Sequence, residues 1–108
     1  MLFLAINNNH QKPITMFKIN KYFDGKVTSL GFENHAGAVT IGVMDSGEYE
    51  FGTSTVEYMT VTSGEMSVLL PDEKIWKTFK EYETFIVDKN QKFQVKVDEP
   101  TSYRCVYK

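Results

Sequence analysis

Few residues in this chain can do chemistry, and their types narrow the reactions open to it. There is one cysteine, Cys105, and there are two histidines, His10 and His35. A single thiol forms no intrachain disulfide and no cysteine-cluster zinc site, and it fits a reducing compartment. Two imidazoles leave little material for a histidine-based metal centre or a Ser-His-Asp arrangement. Cys105 sits among aromatics, with no histidine beside it to favour the thiolate, so it reads as a small hydrophobe and not as a nucleophile. His35, between Asn34 and Ala36 and close to Gly37, reads as a loop residue. Twelve Lys plus Arg against fourteen Asp plus Glu leave a net charge of -2, so no bulk basicity points to nucleic acid. What remains is carboxylate, hydroxyl and aromatic chemistry, with Arg104 the residue best shaped to grip an anion in a bidentate fashion.

Side chains of these kinds must be held by strands. Ten Val, six Ile and ten Thr, together with fifteen aromatics, outweigh three Ala and five Leu. β-Branched and aromatic side chains suit a pleated surface and offer little to a helix. Val27, Ser29 and Gly31 alternate with Thr28, Leu30 and Phe32, and a second extended run covers Ala38 to Met44. After the turn Asp45-Ser46-Gly47, residues Tyr49, Phe51 and Thr53 share one face of a strand. Tyr58 to Thr62 and Glu65 to Leu70 flank Ser63-Gly64, which reads as a hairpin. Further strands are expected at Ile75 to Phe79, Thr84 to Val87, Phe93 to Val97 and Ser102 to Tyr107. About nine short strands without an amphipathic helix predict an all-β, single-domain antiparallel β-barrel or jelly roll.

The length, 108 residues, suits one domain. Residues 1–15 begin apolar, turn polar and stop at Pro13, with neither the basic start nor the cleavage site of a secretory signal. They are expected to be an N-terminal extension, with an extra edge strand from Leu2 to Ile6 as the alternative, and residues 16–108 to form the barrel domain. No apolar run approaches the ~20 residues of a membrane-spanning helix.

Glu57 followed seven residues later by Gly64 resembles the end of the first motif of the cupin superfamily. In metal-binding cupins two histidines precede that glutamate at alternate positions, and counting back places Phe51 and Thr53 there. Neither is a usual metal ligand, and a lone carboxylate makes no tight transition-metal site. The resemblance therefore implies a cupin-type barrel without a metal. The second half departs from the cupin pattern, with Tyr82, then Asp88-Lys89-Asn90, then Phe93, where a Gly, a Pro-x-Gly turn and a His would stand. Asp and Asn tolerate left-handed backbone, so the turn is still expected to form.

A closer likeness spans Met16 to Lys108. Tyr22-Phe23-Asp24-Gly25-Lys26-Val27, Ile41-Gly42-Val43-Met44, Gly47-Glu48-Tyr49, Met59-Thr60-Val61, Val68-Leu69-Leu70-Pro71 and Glu99 to Cys105 resemble, in order, the small bacterial pyrimidine/purine nucleoside phosphorylases of the cupin superfamily. That resemblance implies phosphate-dependent cleavage of purine and pyrimidine nucleosides to free base and ribose 1-phosphate, without a cofactor. It further implies a cytoplasmic protein and a homodimer.

Breaking an N-glycosidic bond builds positive charge on the ribose, and a site for it must stabilise that charge and hold phosphate against it. On this reading Glu57 is the catalytic carboxylate, binding ribose hydroxyls or balancing the charge. Tyr49, Phe51 and Tyr103 would sandwich a base, with Thr53 completing the substrate site, because stacking tolerates different rings. Thr55, in the run Thr53-Ser54-Thr55, and Arg104 are the candidates for phosphate, although strict alternation points Arg104 away from the face of Tyr103 and Cys105. Trp76 reads as core or an interface anchor, and Lys89, Lys92 and Lys96 as solvated charge. A non-catalytic barrel binding a small ligand in the same aromatic pocket is the alternative function.

Overall fold

The computed structural model describes residues 17–108, so the expected extension at residues 1–15, and Met16 as the start of the domain, lie outside the described residues. Ten strands follow one another: β1 Lys18–Tyr22, β2 Val27–Asn34, β3 Gly37–Met44, β4 Gly47–Gly52, β5 Glu57–Ser63, β6 Met66–Leu69, β7 Lys77–Phe79, β8 Thr84–Val87, β9 Lys92–Val97 and β10 Thr101–Tyr107. Every pairing is antiparallel. One sheet has the order β1-β2-β3-β10-β5-β8 and the other β4-β9-β6-β7. The two form a jelly roll whose ladders stay separate, so the expected all-β cupin architecture is realised as two facing sheets.

Alternation decides what lies between them. Val27, Met44, Met59, Val61, Phe85, Val87 and Cys105 of the larger sheet are buried against Met66, Val68, Phe93, Val95 and Val97 of the smaller one. At roughly 1.5–3 kcal/mol for each fully buried aliphatic or aromatic side chain, this layer is the main force joining the sheets.

The expected strands form, except that the one expected over Ile75 to Phe79 starts at Lys77 and leaves Ile75 and Trp76 outside it; two further differences concern β1 and Ser63-Gly64. β1 has a polar sequence, Lys-Ile-Asn-Lys-Tyr, without hydrophobic alternation; it is an edge strand held in register by Lys18 opposite Gly31 through Tyr22 opposite Val27. Its lysines suit an edge, since they discourage pairing with another chain. Second, Ser63-Gly64 is not a hairpin. β5 pairs with β10 and β8, whereas β6 pairs with β9 and β7, so the dipeptide carries the chain from one sheet to the other. Gly64 takes a left-handed φ of +89°, and an added Cβ would lie 2.6 Å from Thr101 Oγ1, so both conformation and space demand glycine there.

The departures from the cupin pattern in the second half are absorbed by unusual backbone. Tyr82 adopts φ +71°, and Asn90, closing the Asp88-Lys89-Asn90 turn, adopts φ +58°. The turn forms without the Pro-x-Gly sequence, as expected of Asp and Asn.

Candidate active site

A cavity of about 450 Å³ opens between the sheets at the end where the β1–β2 turn meets β4. That volume lies in the range of small-molecule sites. The larger sheet contributes Ser29, Glu57, Met59, Tyr103 and Tyr107, and the smaller sheet Glu50, Phe51, Gly52 and Phe93, with Glu50 exposed. Tyr22, the last residue of β1, and Phe23, in the turn after it, complete the mouth.

Strand register explains why these groups meet. Asn20 opposes Ser29, Ser29 opposes Gly42, and Gly42 opposes Tyr103, so the four form one inward-facing row across β1, β2, β3 and β10. The phenol of Tyr103 lies over Gly42; an added Cβ there would stand 2.5 Å from the Tyr103 hydroxyl oxygen and 2.7 Å from Cε1. Ser29 lies beside that hydroxyl and accepts a hydrogen bond from Asn20 Nδ2 at 3.2 Å. A parallel row pairs Tyr107 with Glu57. The Tyr107 hydroxyl shares a 2.9 Å hydrogen bond with Thr40 Oγ1, and Cys105 Sγ donates to Glu57 Oε1 at 3.6 Å.

Burial sets the protonation of this cluster. It raises the Glu57 carboxyl above the ordinary glutamate value, with the Cys105 contact acting in the opposite direction. Burial pushes the Tyr103 phenol up to about 12 and the Cys105 thiol also to about 12, the latter helped by the charge of Glu57. The Tyr107 phenol is raised by the same cause. Both tyrosines and the thiol therefore remain neutral hydrogen-bond donors near pH 7, and Glu57 is the carboxyl among them.

The sequence-derived candidates divide by location. Glu57, Phe51 and Tyr103 come together around the cavity. Tyr49 is buried, touches Phe51 at 6.1 Å between ring centroids and donates its hydroxyl to the Asp45 carbonyl at 2.6 Å, outside the lining. Thr53 Oγ1 donates to the Asp88 carbonyl at 2.6 Å and accepts from the Gln91 N–H at 3.0 Å, tying the end of β4 to the β8–β9 loop. Thr55 is exposed on the following loop. Arg104 projects to the outer side of the larger sheet, in a groove with His35, Tyr58 and Lys108. The alternation noted for β10 accounts for this. Trp76 is partly buried outside the sheets, with Lys96 Nζ 4.1 Å from its ring centroid.

Ser29, Asn20, Tyr22, Phe23, Thr40 and Tyr107 were not anticipated as site residues. Tyr107 was within reach, because the alternation that pairs Tyr103 with Cys105 continues to it. Ser29 and Asn20 depend on cross-strand register, which no local pattern encodes.

The donor set does not suit a metal. At the two positions where metal-binding cupins place histidines, Phe51 presents a ring and the Thr53 hydroxyl is already engaged by the neighbouring loop. Among the described residues no three His, Cys, Asp or Glu side chains converge.

Comparison with known proteins places the chain in a family. Residues 17–107 match the sequence pattern of the family described as pyrimidine/purine nucleoside phosphorylase. A protein of that name from Alcanivorax borkumensis is 54% identical over 92 residues, covering 85% of this chain and 98% of the relative. Another from Pseudomonas syringae pv. syringae is 54% identical over 93 residues, covering 86% of this chain and all of the relative. Among solved structures, a Vibrio parahaemolyticus protein of unknown function superposes with a TM-score of 0.82 at 43% identity, covering 85% of this chain and 98% of that one. An RmlC-like cupin from Shewanella frigidimarina, at 16% identity and TM-score 0.67 over 92% of this chain and 89% of its own, shares the fold. The chain belongs to the pyrimidine/purine nucleoside phosphorylase family of cupin-fold proteins.

Proposed function

We propose that this chain cleaves purine and pyrimidine nucleosides with inorganic phosphate, releasing the base and ribose 1-phosphate. The observation that carries the reading is the half-buried carboxylate of Glu57, set deeper than the exposed Glu50 and facing an aromatic wall across a cavity large enough for a nucleoside. The family membership supports the nucleoside phosphorylase activity; the cavity supports a tolerant one, since its wall offers ring faces and not a base-reading set of donors and acceptors.

Each side chain has a distinct task. Glu57, as carboxylate, accepts hydrogen bonds from ribose hydroxyls and offsets the positive charge that grows on the sugar as the glycosidic bond lengthens. Its partial burial strengthens that interaction, because less water screens it. Tyr103 and Ser29 supply neutral hydroxyl donors for phosphate oxygens, and no Lys or Arg lines the cavity among the described residues. Phosphate and Glu57 repel each other, so the anion approaches the sugar from the face opposite the carboxylate. Thr55 and Arg104, being remote from the cavity, are not required by this scheme.

The proposal includes a homodimer. Ile19, Leu30 and Ile41 face one another in register on the outside of the larger sheet, with Val43 beside them, and all four are more than 40% exposed. Such an apolar stripe suits a second copy of the chain. The protein is also read as cytoplasmic, in keeping with the buried free thiol of Cys105.

Incubation with uridine or adenosine, with and without phosphate, tests the activity by release of free base. Phosphate-dependent release that disappears in Glu57→Gln is expected. Release no greater than in a buffer blank, despite measurable nucleoside binding, would instead identify a ligand-binding barrel.

A further inference from the structure

Phe23 carries a conformational penalty. It occupies the first central position of the β1–β2 turn, closed by a hydrogen bond from the Gly25 N–H to the Tyr22 carbonyl at 3.0 Å. Phe23 and Asp24 both have positive φ, +52° and +57°. Turns with two left-handed central residues favour Asn, Asp or Gly, and a bulky aromatic there is an outlier of the kind that gathers at ligand sites. The strain brings its ring to the cavity mouth. There the residue is 45% exposed, although its ring touches Tyr49 at 5.0 Å and Phe51 at 5.8 Å between centroids. Phe23 and Phe51 stand at 90° and in contact, so they make one continuous apolar wall and leave no slot between them. A flat ring entering the cavity therefore lies on one face and meets the other edge-on.

The cavity is also polarised. Glu57 and Tyr107 give it a polar side, and Phe23 and Phe51 an apolar one whose outer rim carries the exposed Glu50. Resting on the proposed nucleoside chemistry, we infer that Phe23 is the stacking platform for the nucleobase and a determinant of substrate affinity. It orients the base at the mouth while the ribose reaches Glu57. Because a phenyl face accepts purines and pyrimidines alike, Phe23 favours broad specificity over selection.

Phe23→Leu separates stacking from simple plugging, since leucine retains apolar contact with Tyr49 and Phe51 but has no aromatic face. Phe23→Tyr restores that face. The expected result is a rise in KM for both uridine and adenosine of between about fivefold and a hundredfold in Phe23→Leu, with kcat little changed and Phe23→Tyr near the wild type. Melting midpoints of the variants confirm that each is folded. An unchanged KM in folded Phe23→Leu, with wild-type activity present, overturns the role of Phe23 and leaves the phosphorylase reading intact. Absence of base release by the wild type overturns the phosphorylase reading. Equilibrium dialysis of uridine and adenosine then reads the platform directly: weaker binding to Phe23→Leu supports it, and equal binding overturns it.

Discussion

Replacing Gly42 by alanine adds one methyl group to a strand interior, where alanine ordinarily stabilises relative to glycine by roughly 0.5–1 kcal/mol. The structure reverses that sign. The new Cβ would lie 2.5 Å from the Tyr103 hydroxyl oxygen and 2.7 Å from Cε1, whereas ordinary van der Waals contact begins near 3.4 Å. The ring must withdraw by about 1 Å into the cavity it lines, giving up its packed place over Gly42 and beside Ser29. Overpacking of this kind typically costs about 1–3 kcal/mol. Urea denaturation, with an unchanged slope and a lowered midpoint, reads the loss. A double-mutant cycle isolates its cause, because Tyr103→Leu removes the ring from above Gly42. In that background Gly42→Ala should be neutral or stabilising by about 0.5 kcal/mol. An equal penalty in both backgrounds would refute the proposed contact. Base release should weaken as well, since the displaced ring lines the cavity.

Glu57→Gln should lower kcat/KM by about a hundredfold or more, as expected when a positioned charge opposite the developing cation is lost. The same variant should be more stable than the wild type at neutral pH. A folded-state pKa raised by burial gives stability that is fully present below the unfolded value and lost as pH rises through the raised value, and glutamine escapes that loss. Melting midpoints across pH should therefore converge below the ordinary glutamate pKa and separate above the raised one; a variant less stable at pH 7 contradicts the assignment. The acid limb of the wild-type pH–rate profile should likewise lie above the range of an ordinary glutamate. Ile41→Asp, on the outward face, should convert a dimer to a monomer in sedimentation equilibrium without lowering the melting midpoint of the separated chain; a dimer that persists places the interface elsewhere. Arg104→Gln should leave the KM for phosphate unchanged, because its side chain projects from the opposite side of the sheet.

Much of the fold was legible in local pattern, because alternation and turn residues act over a few positions. The run Ala38 to Met44 and the segment Phe93 to Val97 match strands closely. β1 was not legible: Lys-Ile-Asn-Lys-Tyr lacks an apolar face, and it becomes a strand only because β2 offers a partner edge. Ser63-Gly64 misled for a related reason. A Ser-Gly turn has the same composition whether it joins paired strands or transfers the chain between sheets, and only long-range pairing decides. The site shows the same division. Phe51, Glu57 and Tyr103 face inward by alternation, whereas Ser29 and Asn20 reach Tyr103 through three successive strand pairings.

The features that distinguish the cavity from the rest of the core each oppose stability. Glu57 is a carboxylate withdrawn from water, Phe23 sits in a disfavoured region of backbone space, and a cavity of about 450 Å³ remains between sheets that elsewhere exclude solvent. Val61, Val68, Val95 and Met66, all fully buried a short distance along the same layer, offset those costs. Such concentration of unfavourable local choices in one place is what a binding or catalytic site produces, since a barrel selected only for folding would fill the space and neutralise the charge. That argument applies to Glu57 with particular force. Its partial burial is compensated within the described structure by a weak thiol hydrogen bond from Cys105, and a substrate with hydroxyl groups would supply further donors.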